Sequence, residues 1–451
     1  MTQTKQAQGR NKMGIMPIKR LLLSMAFPLM LSLVVQSLYN IVDSIYVAQI
    51  GENALAATSL AYPIQILMIA LAAGTGVGIN ALISRLLGAG KREEVGRAAA
   101  TGVVLALASS LVFAAVGLPG AKAIARALSS DPDIAEKCGV YPQVCMGTFL
   151  ETMFQRFLQA SGRTMYSMLS LVVGAVANII LDPVLIFGCW GFPAMGIRGA
   201  AIATVIGQWL GALTAIVLNT LFNPDVQVNF RRFRLQKSTV LAICKVGFPT
   251  ILMQAMGSVM NFGVNRLLAD ATAIAFFGVY YKLQNFMFMP MNGLGQACLP
   301  IVGFNYGAKK GGRIQETIRT ALIWGVGIGL IMSAVFFILP GQLLSLFNAS
   351  PALLAIGIPA VRIMCGTFAL CAVTTILGMC ASGLGNGVVN MLGTGLRQVM
   401  VLLPCFWLLL KTVGLPAAWS AMWLSEILAM LYCVWSIRRE IRKKVDPITE
   451  R

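Results

Sequence analysis

Ala26-Phe27-Pro28 leads into Gln36-Ser37-Leu38-Tyr39-Asn40-Ile41-Val42-Asp43, and the same scheme returns in the second half as Gly247-Phe248-Pro249 with Ser258 and Asn261. Outward from that stretch the echo continues. Gln65, Gly74, Gly76, Gly88, Ala89 and Lys91 reappear as Gln284, Gly293, Gly295, Gly307, Ala308 and Lys310. Gly147-Thr148-Phe149 reappears as Gly366-Thr367-Phe368, and Ala160-Ser161-Gly162 as Ala381-Ser382-Gly383. The separation is 219 (310 − 91) or 221 (258 − 37), one register with small indels. The chain reads as one module written twice.

That module is made of membrane spans. The chain is 57% apolar and 11% charged, with a mean hydropathy of +0.78, which excludes a water-soluble globule. Uncharged runs such as 21–42, 54–84, 98–121 and 283–308 exceed the roughly 20 apolar residues a span needs. Division at charges and Pro/Gly/Asn clusters gives about twelve spans. They begin near 20, 54, 98, 138, 164 and 198 in the first copy and near 240, 273, 316, 357, 390 and 416 in the second. An even count per copy returns the chain to its starting side, so the expected fold is all-α and polytopic, with twelve transmembrane helices. Its two six-helix repeats are parallel, related by a pseudo-two-fold along the membrane normal; inverted repeats need an odd count. The expected organisation is a tail over 1–19, a lobe over 20–222, a linker over 223–238, a second lobe over 239–437 and a basic tail over 438–451.

The 35 basic residues outnumber the 16 acidic ones, yet their placement argues for a membrane rather than nucleic acid. Lys19 and Arg20, Lys91 and Arg92, Arg231, Arg232 and Arg234, Lys309 and Lys310, and Arg438 and Arg439 fall on one side, as the positive-inside rule requires. The opposite side carries a balanced loop with Asp131, Asp133 and Glu136. Both termini are therefore expected in the cytoplasm, with the first apolar run an uncleaved span. Most of the ten cysteines lie in apolar runs and there is no histidine, so no metal beyond a possible Na+, no cofactor and no redox centre is expected. Gly88-Ala89-Gly90-Lys91 has Arg85 where a phosphate loop needs Gly and Arg92 where it needs Ser or Thr, so it is a turn.

Ionisable groups inside a span are costly and mark candidate sites. Asp43, Glu151, Asp182 and Glu426 lie well inside predicted spans. Asp43 and Asp182 fall at matching depth in the first and fifth spans, about 9 Å of helix rise from the end for Asp43. Asn178 stands one turn before Asp182, and Tyr39 and Asn40 stand four and three residues before Asp43. Such a group can receive a proton or Na+, or it can fasten two helices. The second copy has Val264 and Leu403 at the equivalent positions, which favours the coupling role, because a fastening would recur in both copies. Glu426 is expected to pair with Arg397, and Glu151 to fasten helices with Gln155 and Arg156. Phe286, Met287 and Met291 of the eighth span either line an adaptable pocket or face lipid.

The run Gln36–Asp43, the turn Gly88–Lys91 and above all Asn178-Ile179-Ile180-Leu181-Asp182-Pro183 resemble the multidrug and toxic compound extrusion (MATE) family, over about 17–438. The resemblance implies two six-helix lobes in a bacterial-type plasma membrane and a cleft that opens alternately to each side. It also implies export of small organic cations, drugs or metabolites against H+ or Na+. The cation site of the similar prokaryotic members corresponds to Asp43, Asn178 and Asp182, joined by a helix 6 hydroxyl for which Thr204 is the match. Another branch uses acids on helices 7 and 10; here helix 7 offers only Gln254 and Asn261, and helix 10 Arg362. With Gln36 and Gln65, Gln254 and Asn261 complete the candidates for the substrate cavity. The expected state is a monomer.

Three other readings compete. A lipid-linked oligosaccharide flippase of the same superfamily would keep the architecture but needs a basic cavity, and the central spans hold few bases beyond Arg362 and Arg397. A major-facilitator transporter would carry a different acid-and-base pattern between its second and third spans. An intramembrane aspartyl protease would need Tyr before one Asp and Gly-x-Gly before the other; Val42 and Leu181 stand there instead. No enzyme activity is expected.

Overall fold

The computed structural model describes residues 11–449 except 51, 129–144, 231, 232, 234, 269 and 348; side chains at 48, 52–64, 116–128, 145, 146 and 449 are also excluded. Asp131, Asp133, Glu136, Arg231, Arg232 and Arg234 thus lie outside the described residues. The described chain is helical, without strands. The first copy gives α1 (Ile18–Ile50), α2 (Glu52–Gly88), α3 (Arg92–Leu128), α4 (Cys145–Ala160), α5 (Thr164–Phe187) and α6 (Ile197–Phe222). The second gives α7 (Lys237–Leu267), α8 (Ala271–Gly307) and α9 (Gly311–Ile338), then α10 in two pieces, Pro351–Cys365 and Phe368–Gly383. It closes with α11, made of Gly387–Gly395, Leu396–Met400 and Leu402–Thr412, and α12 (Ala421–Lys444).

Among the described residues nine helices are long and apolar enough to cross a bilayer, and the two α10 pieces, bent by 50°, form a tenth. With α4 and α8 they complete the twelve-helix, two-repeat pattern read from the sequence. Residue choice explains the helix ends. Ser350 caps the first piece of α10 by accepting from the Leu353 amide at 3.2 Å, with Pro351 in the first turn, where its missing N–H costs nothing. Asp270 accepts from the Thr272 and Ala273 amides and starts α8. The repeat persists even where the residue changes. The turn after α2 puts Gly90 at φ 73° and the turn after α8 puts Lys309 at φ 56°. The next residue bonds back alike in both, Lys91 to the Leu86 carbonyl at 3.0 Å and Lys310 to the Asn305 carbonyl at 2.9 Å.

The chain divides into two compact units, 31–247 and 1–30 with 248–451. Residues 11–30 therefore belong with the second copy, and the start of α7 with the first. Contacts inside each unit show why. A short helix, Lys12–Ile15, lies within the expected N-terminal tail, capped by Asn11. Its carbonyls are bound by the second copy: Lys310 Nζ donates to Gly14 at 2.8 Å, and Arg313 Nη2 to Met13 at 3.1 Å and Met16 at 2.7 Å. Part of the expected linker docks on the first copy, with Val226 fully buried, Asn219 donating to the Val226 carbonyl at 3.1 Å, and Arg163 paired with Asp225 at 3.5 Å.

Each unit has its own packed centre. In the unit with the second copy, Trp419 is fully buried, with Phe276 and Phe406 edge-on at 5.3 Å between centroids and Phe277 stacked at 6.3 Å. In the other, Phe149, Met153 and Phe157 of α4 pack with Ile79 and Ile83 of α2. Lipid is as apolar as leucine, so close contact rather than water exclusion holds such helices together.

Candidate functional site

The site in the 31–247 unit starts from glycine. A Cβ on Gly174 of α5 would fall 2.8 Å from the Gly207 carbonyl oxygen of α6, and one on Gly207 would fall 2.8 Å from the Gly174 carbonyl oxygen. Only residues without a side chain let the two backbones touch. One turn beyond Gly174, Asn178 then meets Thr204 of α6. The hydrogen-bond network assigns the Asn178 amide: its nitrogen donates to Asp182 Oδ2 at 3.0 Å and its oxygen accepts from the Thr204 backbone N–H at 3.1 Å. Asp182 is fully buried, Asn178 2% exposed and Thr204 5% exposed.

α1 completes the group. Tyr46 packs edge-on against Phe187, centroids 6.3 Å apart, and holds α1 beside the end of α5. Tyr39 lies beside the Thr204 side chain and within electrostatic reach of Asp43, Asp182 and Glu151. The Thr204 hydroxyl donates to the Ala200 carbonyl at 2.9 Å. Asp43 is half-buried, interacts electrostatically with Asp182, and has one carboxylate oxygen, Oδ1, that is buried without a hydrogen-bond partner. Two carboxylates of like charge, one short of donors, form a site that a cation would complete.

Five of the six expected coupling residues thus come together: Asp43, Asn178, Asp182, Tyr39 and Thr204. Asn40 does not. It is exposed on α1, its carbonyl accepting from Ser44 Oγ at 2.7 Å. At 3.6 residues per turn, positions three and four before Asp43 lie to opposite sides of it. The helix turns the Tyr39 side inward. Glu151, read from sequence as a fastening, accepts from Gln155 at 3.0 Å and lies against Gly211 of α6, at the edge of this group.

The expected substrate-cavity residues fare less well. Gln36 is exposed and Gln65 half-buried; neither joins the cluster. Met287 and Met291 sit in the aromatic core of the second-copy unit, 2% and 0% exposed, while Phe286 is 58% exposed. Asn261 accepts from Asn265 at 3.1 Å, within α7. Helical periodicity put Met287 and Met291 on the face that the Trp419 core claims. A cavity of about 220 Å³ does exist in this unit, and of the named candidates only Gln254 lines it. The sequence reading missed its polar wall, which includes Gln284, Asn285, Asn292 and Gln398. Arg397 and Glu426 stand in that wall as well, paired at 3.6 Å as expected.

A family model, MatE, matches residues 28–184 and 246–408, one stretch in each copy. The chain belongs to the MatE family. The resemblance read from α1, the turn after α2 and α5 is thereby established. The chain is 25% identical over 439 residues to the multidrug export protein MepA of Staphylococcus haemolyticus (strain JCSC1435), covering 94% of this chain and 95% of that one. It is 26% identical over 425 residues to the probable multidrug resistance protein NorM of Thermotoga maritima, covering 90% and 89%. Its fold matches an outward-facing multidrug resistance MATE family transporter of the MOP superfamily, with TM-score 0.87, 23% identity and coverage of 97% and 98%. A MOP superfamily transporter from Pyrococcus furiosus, described as having a binding pocket of reversed polarity, matches with TM-score 0.86, 24% identity and coverage of 96% and 97%. This is a multi-pass membrane protein of a transporter family.

Proposed function

We propose that this protein is a secondary antiporter that exports small organic cations, drugs or metabolites by alternating access, driven by inward H+ or Na+. The observation that carries the reading is the convergence of Asp43 and Asp182 with Tyr39, Asn178 and Thr204, in which Asp43 Oδ1 is buried and unpartnered. The coupling ion meets these groups: a proton on a carboxylate, or Na+ held by carboxylate, hydroxyl and amide oxygens, the hard ligands it prefers. The resemblance to drug exporters along nearly the whole chain supports the cargo. In this account the protein is a monomer without cofactor or enzyme activity, set in a bacterial-type plasma membrane with both termini in the cytoplasm. The flippase alternative is disfavoured by Arg397, a cavity base whose charge Glu426 already balances. The test is drug efflux from proteoliposomes under separately imposed Na+ and pH gradients. Efflux that follows one gradient supports antiport and names the ion, whereas efflux indifferent to both refutes it.

A further inference from the structure

The second-copy unit carries a polar site that cation coupling in the other unit leaves unused. Its centre is the Arg397–Glu426 pair. At 3.6 Å the pair is looser than the roughly 2.7–2.9 Å of a committed charge-assisted hydrogen bond. The Glu426 side chain is 8% exposed, and its second oxygen, Oε2, is buried with no partner. Arg397 is held by its other contacts: Nη1 donates to the Cys371 sulfur, and the guanidinium lies 5.5 Å from the Phe288 ring centroid. Its Nη2 makes no hydrogen bond among the described residues. An unfilled acceptor and an unfilled donor, carrying opposite charges, therefore share one wall.

The backbone is adapted to that wall. Arg397 and Gln398 are consecutive, and in a regular α-helix they would point about 100° apart. Here they lie in a π-helical turn, Leu396–Met400, closed by Val401 N–H donating to the Leu396 carbonyl at 3.2 Å, and both side chains line the cavity. Single π turns concentrate at functional sites. Gln398 Oε1 is a further buried atom without a partner. Unsatisfied buried groups on this scale require something to satisfy them.

We infer that this cavity binds a small zwitterion, whose ammonium meets the Glu426 carboxylate and whose carboxylate meets the Arg397 guanidinium. Charge decides the class. A simple cation would be repelled by Arg397 and a simple anion by Glu426, while a zwitterion matches both and leaves the cavity neutral. Size agrees: about 220 Å³ is below the roughly 300–1,000 Å³ of sites for drug-sized ligands and suits a solute of amino-acid size. Tyr281 and Phe288, also in the lining, give the wall aromatic surface.

Three solutes with one phenyl ring separate the possibilities: phenylalanine (zwitterion), phenethylamine (cation) and 3-phenylpropionate (anion). Their equilibrium binding would be measured on the full-length protein in lipid nanodiscs. Phenylalanine is expected to bind at least about tenfold more tightly than either analogue. Glu426→Gln should remove its advantage over 3-phenylpropionate, and the binding is read with no ion gradient imposed, which keeps this test separate from that of antiport. The panel on the unaltered protein decides even if Glu426→Gln fails to fold. Phenethylamine or 3-phenylpropionate binding as tightly as phenylalanine would overturn the inference. So would the absence of binding by all three at millimolar concentration, the behaviour of a cavity filled only by water.

Discussion

Asn178 donates to Asp182 at 3.0 Å across one turn of α5 while its oxygen accepts the Thr204 N–H at 3.1 Å, so one amide locks a carboxylate to the neighbouring helix. In the second copy Leu403 stands where Asp182 stands in the first, and packs against Gly263. The scaffold was doubled and the polar lock was not.

Closeness of α5 and α6 is a condition of the lock. Gly207→Leu places atoms where the Gly174 carbonyl oxygen lies and must drive the helices apart. Overpacking of this kind costs about 1–3 kcal/mol. The variant should melt at a lower temperature in detergent and lose transport beyond what its reduced protein level explains. Transport per molecule equal to the parent would show that the contact between α5 and α6 does not position the site.

Tyr39 and Thr204 should act as a unit. Tyr39→Phe and Thr204→Val each remove a hydroxyl from the group around Asp43 and Asp182, and each should reduce transport several-fold. Neighbouring groups of one site couple, so the double variant should fall short of the summed loss. Fully additive losses in a transport-rate cycle would show that the two hydroxyls act separately.

The Arg397–Glu426 pair gives a stability test. Glu426→Gln leaves a largely buried guanidinium, 16% exposed, without its counter-charge and should destabilise the protein by up to about 3–5 kcal/mol. Removing both charges together, as Arg397→Met with Glu426→Leu, should restore most of that loss. Thermal unfolding of the two variants side by side checks it, and a double variant less stable than Glu426→Gln would contradict the account.

Much of this was legible in the sequence, for a physical reason. A lipid-facing helix must be apolar along its length, so uncharged runs revealed the spans, and the turn at Gly88–Lys91 kept its backbone in the second copy although Lys309 replaced Gly90. The link from Asn178 to Asp182 followed from a spacing of one turn. Rotation about a helix axis is not legible where both sides are apolar, which is why Asn40 reads as facing inward with Asp43, and why Met287 and Met291 read as lining a pocket or facing lipid when they belong to the Trp419 core. The helix Lys12–Ile15 is too short for any periodicity to show. Gln398 lies in a π turn that no residue pattern marks, so its place in the cavity wall is not legible in the sequence.

The central claim is that Asp43 and Asp182 carry the coupling ion. Asp43→Asn and Asp182→Asn keep side-chain volume but remove the charge that a proton or Na+ must meet. Val264→Asn and Leu403→Asn probe the equivalent positions of the second copy; Val264 is fully buried in an apolar core, and an unsatisfied amide there costs about 1–3 kcal/mol, so its protein level should fall. The deciding measurement is gradient-driven accumulation of a fluorescent organic cation by inverted membrane vesicles, normalised to the amount of folded transporter. The account predicts at least about a tenfold loss, equivalent to 1.4 kcal/mol or more, in each Asp→Asn variant, and normal accumulation per molecule in both second-copy variants. Normal accumulation by Asp43→Asn and Asp182→Asn would contradict it.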